Sequence, residues 1–239
     1  MLASGNPEAI MRALTVLTLA CLISLAAPAA RAQVAPTPSE LAAYRGLHAA
    51  AAAGDIVAIE KLIAEGADKE ALDARLRTPL QVAAFQKQYA AARTLLRLGA
   101  DPNKLEIDRY DIITIAAVAN DPAMLRIALD GGGNPKAITS RYDGTALIAA
   151  AHLGHAEIVR MLIAAGAPLD HVNNLHWTAL IESIVLGDGG RNHTDTLRAL
   201  VAAGASLNLA DRSGATPLAL ARARGYREMV AILEAAGAR

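Results

Sequence analysis

A single glycine turn recurs six times along this chain, each time closing a helix-forming stretch. The turns are Gly66-Ala67-Asp68, Gly99-Ala100-Asp101, Gly132-Gly133-Asn134, Gly166-Ala167-Pro168, Gly204-Ala205-Ser206 and Gly237-Ala238. Successive glycines are separated by 33, 33, 34, 38 and 33 residues. A fixed period in this range marks a repeat array, in which each unit buries its apolar face only against its neighbours. The sequence therefore predicts an all-α solenoid of about six helix-turn-helix repeats with short hairpin-like loops. Such arrays present long surfaces, so a binding face is expected before a catalytic pocket.

A second landmark lies upstream of four of these turns: Thr78-Pro79-Leu80, Thr145-Ala146-Leu147, Thr178-Ala179-Leu180 and Thr216-Pro217-Leu218. A threonine hydroxyl caps a helix, and proline is favoured at the first helical position because it has no N–H to leave unsatisfied. The fourth unit shows the full pattern. Thr145 opens a first helix, Gly154-His155 turns the chain, and Glu157 to Ile163 form a second helix that ends at Gly166. Of the 239 residues, 54% are hydrophobic but only 3% aromatic, so the core is alanine and aliphatic, as short, closely packed helices require.

These residues resemble the ankyrin repeat, with its T-P-L-H-x-A opening, G-H turn and terminal G-A. The resemblance runs from about Leu41 to Arg239 and includes Leu47-His48-Ala49-Ala50 in the first unit and Asp211 to Leu218 in the last. It divides the chain into repeats at roughly 41–73, 74–106, 107–139, 140–173, 174–211 and 212–239. The family's histidine survives only as His48, replaced by Gln81, Thr114, Ile148, Ile181 and Ala219, so the hydrogen bonds it supplies between repeats are expected to thin out. The third repeat opens with Asp111-Ile112-Ile113 in place of a threonine start and is expected to be the most weakly capped. The long step is assigned to an insertion, Gly187 to His193, between the two helices of repeat five.

Ahead of the array, Met11-Arg12 begins a short basic region, Ala13 to Ala27 is uncharged and apolar, and Ala30-Arg31-Ala32 offers small residues at a cleavage site. Residues 1–32 are read as a secretory leader cut after Ala32, with Met11 an alternative start, and 33–40 as an extended lead-in. The apolar run of about 15 residues is short of the roughly 20 a spanning helix needs, so no stable membrane insertion is expected after cleavage. Cys21, the only cysteine, sits inside that run with Thr18 three residues before it, which argues against lipidation. The mature chain would hold no cysteine and 21 basic against 22 acidic residues, which excludes thiolate chemistry and gives no electrostatic footprint for nucleic acid.

The resemblance implies that hairpin tips and first helices line a concave face. That places Trp177, Tyr142 and Tyr110 as aromatic anchors, Arg75, Arg77 and Arg141 as polar contacts, and Leu175 beside them; Phe85 and His152 fall where first helices meet the groove. The rival assignment is that these rings only pack against neighbouring hairpins. The glycine-rich insertion, with Asp188 and Arg191, is a second candidate, and Glu182 could bond its amides. Catalytic, cofactor and metal residues are not expected: there is no phosphate loop, zincin motif or nucleophile elbow. A zinc site from His171, His176, His193 and Asp188 is the one alternative of another class. The expectation is a monomeric, non-catalytic periplasmic protein that binds a partner protein, with an inhibitor or immunity role as the competing version.

Overall fold

The computed structural model describes residues 34–239; the expected leader lies outside the described residues. From Ala35 onward the chain is one compact unit, all-helical among the described residues. A short helix α1 (Pro38–Ala43) precedes six helix pairs: α2 (Gly46–Ala53) with α3 (Ile56–Ala64), α4 (Pro79–Phe85) with α5 (Tyr89–Arg97), and α6 (Ile112–Val118) with α7 (Pro122–Asp130). They continue as α8 (Ala146–His152) with α9 (Ala156–Ala164), α10 (Ala179–Val185) with α11 (Arg191–Ala202), and α12 (Pro217–Ala223) with α13 (Arg227–Ala235). First helices pack on first helices and second on second, giving two layers with a continuous apolar core from Leu47 to Leu233. Alanines 83, 84, 116, 117, 150 and 151 are buried between the layers, where small side chains let the short helices approach closely.

The two sequence landmarks act as expected. Thr78, Thr145, Thr178 and Thr216 each accept a backbone N–H from three residues on, at 3.3–3.4 Å. At the other end, the turn glycines adopt φ between +84 and +91°, a region open to glycine at little cost. The following residue then donates back to the helix, as Ala67 N–H does to the Leu62 carbonyl at 2.9 Å and Ala100 N–H to that of Leu95 at 2.9 Å, the Schellman arrangement.

Three expectations change. Repeat three is well capped, because Asp111 accepts the Thr114 N–H at 2.7 Å; a short carboxylate serves as a cap as well as a hydroxyl does. The lead-in is not extended to residue 40, because Thr37, Pro38 and Glu40 repeat the same start signal. Thr37 caps α1, and Glu40 accepts the Thr37 N–H at 2.7 Å to complete a capping box. The insertion in repeat five is only partly a loop. Arg191, Asn192 and His193 form an added first turn of α11, which has 12 residues against nine in α5, α7 and α9.

Candidate protein-binding surface

The connections between repeats are built by one polar side chain each. Asp73 Oδ1 accepts the N–H groups of Arg75 and Arg77 at 2.8 and 2.9 Å, and Glu106 Oε1 those of Asp108 and Tyr110 at 2.9 and 3.0 Å. Ser140, Asn173 and Asp211 repeat the pattern, bonding the residues two and four positions on. Each hairpin is thus folded around its own leading side chain, in the manner of an Asx turn. Burial pushes the Glu106 carboxyl up even though two N–H groups favour its charge.

Backbone bonds then join one hairpin to the next. The Ile107 N–H donates to the Arg75 carbonyl at 3.0 Å, Ser140 to Arg109 at 3.0 Å and Asn174 to Tyr142 at 2.9 Å. The tips are held in a row, and what they expose is apolar. Of the twelve large hydrophobic side chains exposed among the described residues, nine lie in these connections: Leu72, Leu76, Leu105, Ile107, Ile138, Tyr142, Val172, Leu175 and Leu209. A run of exposed apolar side chains on a rigid frame is what a protein-binding surface presents.

The expected site residues divide across this surface. Tyr142 and Leu175 stand in the exposed row; Arg75 and Arg141 flank it, bound to Glu40 at 3.2 Å and Asp108 at 2.7 Å. Tyr110, Trp177, Phe85 and His152 are half-buried, and Asp188 and Arg191 are exposed in the insertion. Arg77 is a correction: its side chain is 1% exposed and cannot meet a partner. It donates to Asp73 at 2.7 Å and to Glu40 at 2.9 Å, while the Tyr44 hydroxyl donates to Asp73 at 2.6 Å. Burial works against the Arg77 charge, and Asp73, with smaller help from Tyr44 and Glu40, more than offsets it. An arginine so enclosed is a fastener between α1 and the first hairpin.

Glu182 is a second correction. It does not reach the insertion amides: one oxygen accepts the Asn173 side-chain N–H at 3.0 Å and the other lies 3.4 Å from His152 Nδ1. The reason is geometric, since Glu182 lies in the first turn of α10 and faces its own hairpin and the preceding repeat. Among the described residues no group of three or more His, Cys, Asp or Glu side chains could hold a metal. His171 bonds the Asp143 carbonyl and His193 bonds Asp188 and the His152 carbonyl, so these two histidines of the zinc alternative are committed to different partners.

Besides Leu76 and Ile107, five aliphatic members of the row, Leu72, Leu105, Ile138, Val172 and Leu209, were not among the expected site residues. Their signal is present in the sequence: each precedes a hairpin's leading polar residue by one or two positions, an apolar side chain where the chain turns at the surface. The inter-repeat hydrogen bonds persist in the first three repeats, because His48 bonds the Arg77 carbonyl at 3.0 Å, Gln81 bonds that of Tyr110 at 3.2 Å and Thr114 bonds Thr139 at 2.9 Å. From Ile148 onward the corresponding side chain is apolar and the thinning is real.

Comparison with known proteins agrees with this architecture. The family profile described as ankyrin repeats (3 copies) matches residues 29–106 and 113–190. The ankyrin repeat protein YahD of Escherichia coli (strain K12) is 36% identical over 190 residues, covering 79% of this chain and 94% of YahD. The crystal structure of an ankyrin repeat domain from Acinetobacter baumannii AYE is 44% identical with a TM-score of 0.77, covering 81% of this chain and 98% of that one. The ankyrin repeat domain of Bcl-3, a member of the IkappaB protein family, is 27% identical with a TM-score of 0.73, covering 82% of this chain and 88% of its own. With the family profile and these relatives matched over this length, the chain belongs to the ankyrin repeat family, whose repeats serve in general as protein–protein interaction modules.

Proposed function

We propose that this protein works without catalysis, by binding a partner protein along the row of hairpin tips and the adjoining ends of the first helices, in the bacterial periplasm. The carrying observation is the concentration of exposed apolar side chains in the connections, with Tyr142 and Leu175 near its middle. Apolar anchors on a pre-ordered frame cost little ordering on association, so a few of them supply most of the affinity. The polar flank, with Arg75 and Arg141 already held by carboxylates, supplies orientation. Support for the location comes from the basic, apolar and small-residue pattern between Met11 and Ala32.

The test is cross-linking in intact cells followed by recovery of the protein from the periplasmic fraction, beside a variant carrying Tyr142→Ala and Leu175→Ala. One protein recovered with the native form and lost with the variant is the expected outcome. With that partner in hand, the double variant should bind roughly tenfold to a hundredfold more weakly, while its Tm moves by no more than about 2 °C. Equal recovery with both forms would remove the hairpin row as the binding surface. Recovery only from the cytoplasm would remove the location.

A further inference from the structure

The insertion in repeat five is tied down at both ends: the bond from the start of its second helix to the preceding repeat has counterparts in Gln88 to the Ala52 carbonyl and His155 to the Ala117 carbonyl, and the Asp188–His193 pair is added to it. On one side the Tyr226 hydroxyl donates to the Gly187 carbonyl at 2.8 Å, and Arg224 donates to the Val185 carbonyl at 3.2 Å. On the other, His193 spans between loop and array: Nδ1 lies 2.9 Å from Asp188 Oδ1 and Nε2 lies 3.0 Å from the His152 carbonyl, the last residue of α8. Asp188 also accepts the Gly190 N–H at 2.8 Å, which together with His193 holds its carboxyl below the usual range. An ionised carboxylate and a carbonyl can only accept hydrogen bonds. For both contacts to be hydrogen bonds at once, both ring nitrogens must donate, which only the imidazolium does. A cation at this place also faces the C-terminal end of α8, where positive charge is favoured.

We propose that the Gly187–Gly190 loop is a proton-controlled strap, closed onto the end of α8 by doubly protonated His193 and released from it when one proton leaves. A neutral ring turns a lone pair toward either Asp188 or the His152 carbonyl, acceptor against acceptor, and one of the two ties is lost. Tyr226 keeps its hold on Gly187, so opening is confined to residues 188–190, hinged at Gly187. Gly189 has φ +70° and lies against the Tyr226 ring, which leaves no room for a side chain there in the closed form. The other titratable groups in contact are His152, whose ring faces Glu182 of α10, and Tyr226 and Arg224 of the last repeat, whose donors are committed to carbonyls.

Amide hydrogen exchange on the full mature chain tests this, read as the protection factor at Gly190, whose N–H bonds Asp188, with the intrinsic pH dependence removed. Between about pH 5.5 and pH 8.5, protection should fall roughly tenfold in the native protein, while the α11 interior beyond its first turn stays constant. His193→Gln should show low protection at both pH values and no step. Asp188→Asn, at a largely exposed side chain that leaves the fold intact, should weaken the step, and His152→Gln should retain it. Constant protection across the range in the native protein overturns the proposal, as does a step that survives His193→Gln or vanishes in His152→Gln.

Discussion

Four hairpins place a non-glycine residue in the left-handed region: Leu76 at φ +59°, Arg109 at +66°, Asp143 at +52° and His176 at +64°. The last hairpin has Gly214 there, at +83°. For a side chain with a Cβ this conformation costs about 1–2 kcal/mol, and leucine lacks the short polar group that lets asparagine adopt it readily. Leu76 is held in it because Asp73 bonds the N–H groups on either side, at Arg75 and Arg77. Leu76→Asn should therefore raise the unfolding free energy by about 1 kcal/mol, seen as a higher urea midpoint at unchanged m. No change, or a loss, would mean that Leu76 makes stabilising contacts that outweigh its backbone strain.

At the level of the helix, the Asp111 cap of α6 is the position where local chemistry and burial oppose each other. Burial pushes its carboxyl up while the Thr114 N–H favours the charged form, and the upward effect wins. Threonine performs the same capping at Thr78, Thr145, Thr178 and Thr216 without a charge to bury. Asp111→Thr should accordingly leave stability unchanged or raise it, whereas Asp111→Ala, which loses the cap, should lower it by about 1 kcal/mol in the same denaturant titration. Stability falling equally in both variants would show that the carboxylate itself is required. α11 shows how an insertion is absorbed: half becomes helix, because Arg191 to His193 carry no helix breaker, and the glycines on their N-terminal side stay in the loop.

Across the whole molecule, a repeat stack depends on its ends, where one face of a helix pair has no neighbour. The N-terminal end is closed by α1, held through Glu40 and Tyr44 to Arg77 and Asp73. The Thr37 N–H, with smaller help from Arg77, holds the Glu40 carboxyl down to about 2 from an ordinary 4.5. A depressed carboxyl contributes stability that is complete above its unfolded value and is lost as the pH falls through the folded one. The array should thus lose its N-terminal closure between about pH 4.5 and pH 2, first as faster amide exchange in α1 and α2. Glu40→Gln should remove that part of the acid dependence; an acid limb identical in the variant would place the loss elsewhere.

The period of the glycine turns, the threonine starts and the alanine-rich first helices determined the two-layer stack from the sequence alone, because both caps and both apolar faces are local patterns repeated in register. The same locality made Tyr142 and Leu175 readable as hairpin residues. Only the tertiary structure decided that Arg77 turns inward: its partner Glu40 lies 37 residues upstream, and no spacing rule brings α1 against the first hairpin. It also decided that Glu182 serves Asn173 and His152, and that His193 spans two acceptors, one of them on the preceding repeat. The backbone of one repeat is specified by short-range chemistry, whereas the environment of a polar side chain at a repeat boundary is set by the neighbour packed on it.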